Sequence, residues 1–322
     1  MLSPLDVSTS AATIGINLIL AVVAIVLIAF PSELFNSTLE ENYAEVRGWF
    51  GPLGRATSRA ADQFHRVPSW LGAIPFILVM AGLYGLLDPG FGLSRASLAL
   101  FAGLVVGVLI ITVVFDLPGI IQVRLAHGHS ATVKTLPWTL AVAALCVLVS
   151  RLANFQPGYI YGLVAGLAVQ GEITRRQQGR SLAVAAAGMF AISLVAWFAW
   201  LPIRSMATQP GASFWVLALD ATLAVTFVCG LETMLFGLLP MRFLDGHKIY
   251  AWSRGVWMVL FGLGVFGVIQ VLLTPKSGYV GRSIKGNEVV VIALLVGFAV
   301  ASVAFWAYFR FRPAPTSASL PD

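Results

Sequence analysis

Long apolar runs separated by short polar stretches recur along nearly the whole chain. A hydrocarbon core about 30 Å thick needs roughly 20 mostly apolar residues per helix, with a range of about 17 to 25. Residues 13–30, 70–87, 97–115, 137–153, 182–202, 214–238, 255–273 and 288–309 meet that requirement. A ninth stretch, 157–171, is shorter and rich in glycine, and it reads either as a crossing or as a re-entrant hairpin enclosed by protein. The pattern predicts an all-α fold, a polytopic transmembrane helical bundle with about nine membrane-spanning helices, in a single domain over residues 1–312. The first run has no basic residue before it and is followed by Pro31-Ser-Glu-Leu, with no small-residue cleavage site, so it is expected to be a retained helix.

Charge decides what the number of crossings means. Only 11% of the 322 residues are charged and 58% are hydrophobic. A soluble domain carries about 25% charged residues, so a soluble fold is excluded. Lys and Arg number 20 against 14 Asp and Glu, but they stand singly or in pairs between apolar runs, which excludes a basic tract for nucleic acid. Short cytoplasmic loops carry the basic excess. With nine crossings and the N-terminus outside, the inside segments hold Arg47, Arg55, Arg59, Arg66, Arg124, Lys134, Arg175, Arg176, Arg180, Arg242, Lys248, Arg254, Arg310 and Arg312, which is 14 of the 20. The outside segments hold Arg95, Arg151, Arg204, Lys276, Arg282 and Lys285, which is 6. If 157–171 does not cross, the later loops change sides and the tally becomes 10 against 10. Nine crossings with the C-terminus inside is the better arrangement.

The long hydrophilic stretch, 31–69, places Leu34, Phe35, Leu39, Tyr43, Val46, Trp49, Phe50 and Leu53 near helical spacing among Glu40, Glu41, Glu45 and Arg47, which predicts an interfacial amphipathic helix. Residues 313–322 read as a disordered tail. No internal repeat is evident. Cys146 and Cys229 each lie inside an apolar run, which argues against a disulfide framework and against a clustered thiolate site.

Three patterns carry candidate chemistry. Gly158, Gly162 and Gly166 form a stripe at helical spacing that would let another helix backbone approach closely, with Tyr159 and Tyr161 as interfacial anchors. Thr222, Thr226, Cys229 and Thr233 recur on one helix face, with Glu232 near the same sector. An acid at membrane depth points to function or to an internal partner, and here Arg242 or Arg254 is the expected partner. Glu172 lies beside Arg175 and Arg176 and reads as a surface residue. The third pattern is Phe236-Gly-Leu-Leu-Pro-Met-Arg-Phe-Leu-Asp-Gly-His-Lys-Ile249, in which an apolar helix stops at Pro240 and the chain turns through Leu244, Asp245 and Gly246.

That stretch resembles two families. Phe236, Gly237, Leu238, Leu239 and Pro240 match the naming motif of a bacterial group, the FGLLP motif-containing membrane proteins. Phe30-Pro-Ser-Glu-Leu-Phe-Asn-Ser-Thr-Leu-Glu-Glu-Asn42 and Phe155-Gln-Pro-Gly-Tyr-Ile-Tyr-Gly162 also look like segments of that group. The resemblance spans most of the chain and implies a multi-pass protein of the bacterial cytoplasmic membrane, with no activity attached. More distantly, Pro240, Leu244, Asp245 and Gly246 resemble the N-x-x-P-x-x-x-L-D-G motif of site-2 intramembrane metalloproteases, with Gly237 in place of the Asn. In that family the Asp is a zinc ligand and works with H-E-x-x-H. None of the four His of this chain has such a setting: His65 has no adjacent Glu, and His127 and His129 are two apart. No catalytic residue and no cofactor is therefore expected. Asp245 is read as shaping the turn and accepting backbone N–H bonds. The minority metal candidates are His127, His129, His247 and Asp245, which with His65 all fall on the predicted cytoplasmic side. The expected role is a non-catalytic scaffold or assembly factor, partnered by the lipid bilayer and other membrane proteins. The alternatives are a small-molecule, ion or lipid transporter and a metal-dependent membrane enzyme.

Overall fold

The structure is a computed structural model that describes residues 3–49, 69–88, 90–127, 132–134, 137–152, 166–168, 174–242, 244–273 and 280–312. Its helices, in chain order, are α1 (Ala11–Glu41), α2 (Tyr43–Trp49), α3 (Ser69–Gly85), α4 (Arg95–His127), α5 (Pro137–Leu152), α6 (Arg175–Ala207), α7 (Phe214–Glu232), α8 (Asp245–Trp252), α9 (Arg254–Gly267) and α10 (Val280–Phe311). Two single π-helical turns, Thr233–Gly237 and Val268–Leu273, extend α7 and α9. Among the described residues, five helices are long and apolar enough to cross a membrane: α1, α4, α6, α7 with its π turn, and α9 with the first part of its π turn. Leu18, Ile19, Val22, Val26, Leu27 and Phe30 of α1 are all exposed, which fits a helix whose outer face meets lipid rather than water. The protein is a helical membrane protein.

Small residues set the closest approaches. A Cβ on Gly103 of α4 would come within 2.5 Å of the Ala218 carbonyl oxygen of α7, and one on Gly107 would overlap Val225. The Gly103–Ala218 and Gly107–Val225 pairs make α4 and α7 parallel neighbours. Thr222 reinforces the crossing by donating to the Gly103 carbonyl (3.2 Å) and to its own Ala218 carbonyl (2.9 Å). On the opposite flank of α7, Gly230 faces Ser193 of α6 and Phe227 stacks on Trp197 at 5.0 Å, so α6 runs antiparallel. The turn between them is Gln209-Pro210-Gly211, in which Gly211 adopts φ +82 and Ala212 N–H bonds the Gln209 carbonyl (3.2 Å). Proline then glycine at the two central positions is what this turn geometry demands.

Side-chain contacts gather the loops into two ends. At one end, Arg242 pairs with Glu40 (3.1 Å), Arg312 pairs with Glu45, and Gly179 of α6 packs on Trp252 of α8. At the other, Gln270 donates to the Ser8 carbonyl (2.7 Å), Arg204 pairs with Asp220 (3.2 Å), and Arg151 donates to the carbonyls of Leu86 (2.6 Å) and Asp88 (3.2 Å).

Two expectations about elements need correction. Pro31 does not end the first helix: α1 continues through it to Glu41, with Pro31 and Ser32 buried, so residues 31–41 are part of a long helix and not of a separate interfacial one. Proline costs a helix one hydrogen bond, and neighbouring helices offset that inside a bundle. Tyr43–Trp49 of the same segment form the short α2, with Val46 buried and Tyr43 and Trp49 exposed, and residues 50–68 lie outside the described residues. Gly166 is not on a helix face either, because Gly166–Ala168 is a short strand paired antiparallel with Thr132–Lys134. A four-residue glycine spacing has packing meaning only on a helix, so no helical stripe reaches Gly166. Gly158 and Gly162 lie outside the described residues, as do Tyr159, Tyr161, Glu172 and the tail 313–322.

Candidate functional site

The FGLLP stretch and the turn after it form a tightly tied knot at the Arg242 end. Phe236 and Gly237 complete the π turn that follows Glu232, and Leu238, Leu239 and Pro240 leave the helix. The carbonyl of Leu238, buried and no longer bonded within the helix, accepts from the Trp257 indole N–H at 2.7 Å. Asn36 of α1 holds the next step: its amide donates to the Pro240 carbonyl (2.6 Å) and its oxygen accepts from Arg242 N–H (2.8 Å). Gly246, in the first turn of α8, lies directly against Leu238 and Leu239. Trp257→Phe keeps the ring that stacks on Phe261 at 5.1 Å but orphans the Leu238 carbonyl. We expect a loss of about 1 to 3 kcal/mol, read as an earlier thermal transition in detergent.

Asp245 opens α8, but its carboxylate accepts from Lys248 Nζ at 2.7 Å, and the cap position is Leu244 with no side-chain bond. The expected backbone N–H bonds to Asp245 are therefore replaced by an ion pair, with the carboxylate still favoured by the helix N-terminus. His247 is half-buried beside it. Burial holds its imidazole below the ordinary value, against a raising hydrogen bond to Pro240, with Arg242 and Arg175 lowering it further and Glu40 raising it. The folded state thus takes up a proton at lower pH than the unfolded chain. Stability at this residue is present above about pH 6.5, the ordinary imidazole value, and is lost as pH falls below it. A melting temperature that declines on acidification through that range, and declines less in His247→Gln, is the expected result.

Among the described residues, no group of three or more His, Cys, Asp and Glu side chains is placed to hold a metal. His65 and His129 lie outside the described residues. His127 ends α4, and the structure describes its backbone only.

Deeper in the bundle the polar face of α7 takes shape. Thr222, Thr226, Cys229 and Glu232 are all buried. Thr222 and Thr233 satisfy themselves on helix carbonyls, Thr233 on Cys229 at 2.7 Å. Glu232 does not. It is 4% exposed, and neither carboxyl oxygen has a hydrogen-bond partner; Thr226 Oγ1 is also unpartnered. Both expected cations are engaged elsewhere, Arg242 with Glu40 and Arg254 over the Tyr250 ring at 5.2 Å. The ion pair anticipated for Glu232 is therefore absent. The reason is axial distance: Glu232 ends α7, while Arg242 follows a π turn and the Pro240 corner that carry it out to the bundle end. Cys229, one turn before Glu232, packs with Ile111 and Met189 against Tyr84 of α3.

Sequence reading missed Asn36, Trp257, Asp116 and Tyr84. Asp116, in the second half of α4, is 7% exposed. The signal for Asp116 was an acid inside an apolar run; nothing local distinguished the other three. Comparison with known proteins adds no relative: no family model, curated protein or solved structure matches the chain.

Proposed function

We propose that this chain is a membrane carrier whose solute movement is coupled to a small cation or proton held at Glu232. The observation that carries the reading is a carboxyl group buried in the bundle interior with both oxygens unpartnered. Burying such a group without compensation costs on the order of 1–3 kcal/mol or more, and ionisable groups at membrane depth mark ion and proton pathways. A residue kept only for stability would have found the pairing with Arg242 or Arg254. The π turn that starts at the next residue adds support, since π turns are rare and frequent at functional sites.

The contacts at the two ends favour the nine-crossing arrangement over eight. Ser8 belongs to the Gln270 end and Arg312 to the Arg242 end, so the chain traverses the bundle an odd number of times. Counting α3, α5 and α10 alongside the five long helices gives eight traversals among the described residues. An odd total is the parity of the nine-crossing arrangement. Four of the segments assigned inside by the charge tally meet at the Arg242 end, which supports reading that end as the cytoplasmic side of a bacterial cell membrane. Reporter fusions after Gln178 and Arg312 should fluoresce in the cytoplasm and lack periplasmic phosphatase activity. Phosphatase activity at either would contradict this topology.

The coupling role is tested in sealed vesicles carrying purified protein, with pH-sensitive and Na+-sensitive dyes inside and an imposed potassium diffusion potential. Glu232→Gln should slow cation or proton entry at least about tenfold, the loss of roughly 1.4 kcal/mol in rate terms. Equal entry in wild type and Glu232→Gln would overturn the carrier reading and return a scaffold, for which the motif knot would be the docking platform.

A further inference from the structure

Resting on the reading of the Arg242 end as cytoplasmic, we infer that the seam where α6 meets α8 binds the phosphate headgroup of an anionic membrane phospholipid, held by Arg176, Arg180 and Arg254 beside Trp252. One close approach builds the seam. Gly179 of α6 has no room for a Cβ against Trp252, and such a Cβ would also lie 3.0 Å from the Lys248 carbonyl oxygen. Arg180 adjoins Gly179, Arg176 stands one turn before Arg180, and Arg254 follows Trp252 by two residues. Three arginines therefore converge on the same contact.

Other cations at this end have carboxylates of their own: Arg242 with Glu40, Lys248 with Asp245, and Arg312 with Glu45. Arg176, Arg180 and Arg254 are exposed and have none among the described residues; Arg254 lies over the Tyr250 ring at 5.2 Å. Glu172, four residues before Arg176, lies outside the described residues. Arg175 and Arg176 also occupy the first turn of α6, which carries no acid. Cations are unfavourable at that end of the helix dipole, and a bound phosphate turns the same charges to advantage. Membrane topology asks only that basic residues lie on this side. It does not ask that three of them stay without carboxylates at one seam.

The surface that continues from Arg180 makes the anion a lipid. Val184, Ala187 and Ala191 follow it along one face of α6 and are all exposed, as are Val195 and Phe198 beyond them. From Arg180 to Ala191 the helix rises about 16 Å, close to half of a hydrocarbon core about 30 Å thick. That is the depth of one leaflet. Trp252 at the level of Arg180 suits the headgroup boundary, where indoles concentrate. An acyl chain thus lies along α6 while its phosphate meets guanidinium groups, whose planar donors match phosphate oxygens in pairs, on the side where anionic lipids attract basic segments.

Full-length protein, delipidated in a neutral detergent, is titrated with phosphatidylglycerol, with phosphatidylcholine of the same chains, or with inorganic phosphate. Binding is read as lipid retained in native mass spectrometry and as melting temperature. Phosphatidylglycerol is expected to bind saturably and raise the melting temperature, and neither phosphatidylcholine nor phosphate to do so at equal concentration. Arg180→Gln and Arg254→Gln should each weaken its binding about tenfold, the loss of one charge-assisted contact, while melting like the wild type without added lipid. Arg310→Gln removes an exposed arginine in the last turn of α10 that has no ion pair among the described residues, and it should bind like the wild type. Equal retention of phosphatidylcholine, or an equal loss in Arg310→Gln, would overturn a specific site. An equal response to inorganic phosphate would overturn the lipid as its occupant, and unchanged binding in both Arg180→Gln and Arg254→Gln would overturn its place at this seam. Lipid retention depends on neither flux nor sidedness, so its failure is distinct from failure of the carrier or topology readings.

Discussion

Gly246→Ala is expected to lower stability by about 3 kcal/mol, the upper part of the range for forcing atoms into a packed site. Gly237→Ala, nine residues earlier in the same motif, should be neutral or stabilising by up to about 1 kcal/mol. The contrast is geometric. A Cβ on Gly246 would lie 2.5 Å from the Leu239 carbonyl oxygen and closer still to the Leu238 carbonyl. Both obstacles are backbone, so no side chain can swing aside. The Leu238 carbonyl is in turn tied to Trp257, and the Pro240 carbonyl to Asn36, so displacing the strand of the knot breaks bonds to α1 and α9 together. At Gly237 the nearest atom to an added Cβ is Thr233 Cγ2 at 3.7 Å, an ordinary contact. Thermal unfolding of both variants in one detergent reads the difference, and equal melting temperatures would mean that the knot is loosely packed.

The helical membrane class was legible because it rests on hydrophobic length, which each segment carries by itself. Helix α5 begins and ends within a residue of the expected 137–153. Boundaries that depend on neighbours were not legible. Pro31 reads locally as a stop, yet Asn36 and Glu40 must continue as helix to reach Pro240 and Arg242, more than 200 residues away in sequence. The site showed the same divide. The polar face of α7 was visible as a periodicity, and Glu232 as an acid out of place. That Glu232 would lack a partner could not be read from the order of residues, because Arg242 stands only ten positions on and looks available. Only the π turn and the Pro240 corner between them remove it. The glycine spacing at 158, 162 and 166 misled in the other direction: spacing means packing only once a helix is given, and Gly166 lies in a strand.

Glu232→Met is expected to raise stability by about 1 to 3 kcal/mol while abolishing coupled transport. Methionine fills a similar volume and asks for no hydrogen bond, and replacing a buried polar group by an apolar one of like shape is neutral or stabilising when its partners are missing. Both oxygens of Glu232 lack partners, and the residue beside it, Leu231, is already packed against Gly267. A site held for structure behaves oppositely and loses stability on truncation. A gain in melting temperature accompanied by loss of activity is the mark of a group retained at the expense of the fold.

The central claim is that Glu232 binds the coupling ion, and voltage-driven entry of protons or cations into vesicles carrying wild-type or Glu232→Gln protein measures it most directly. Oriented insertion and equal protein content are checked in both preparations. Entry in the wild type is expected to fall at least about tenfold in Glu232→Gln, with the variant still folded by its melting transition. Entry at the same rate in a folded Glu232→Gln would contradict it.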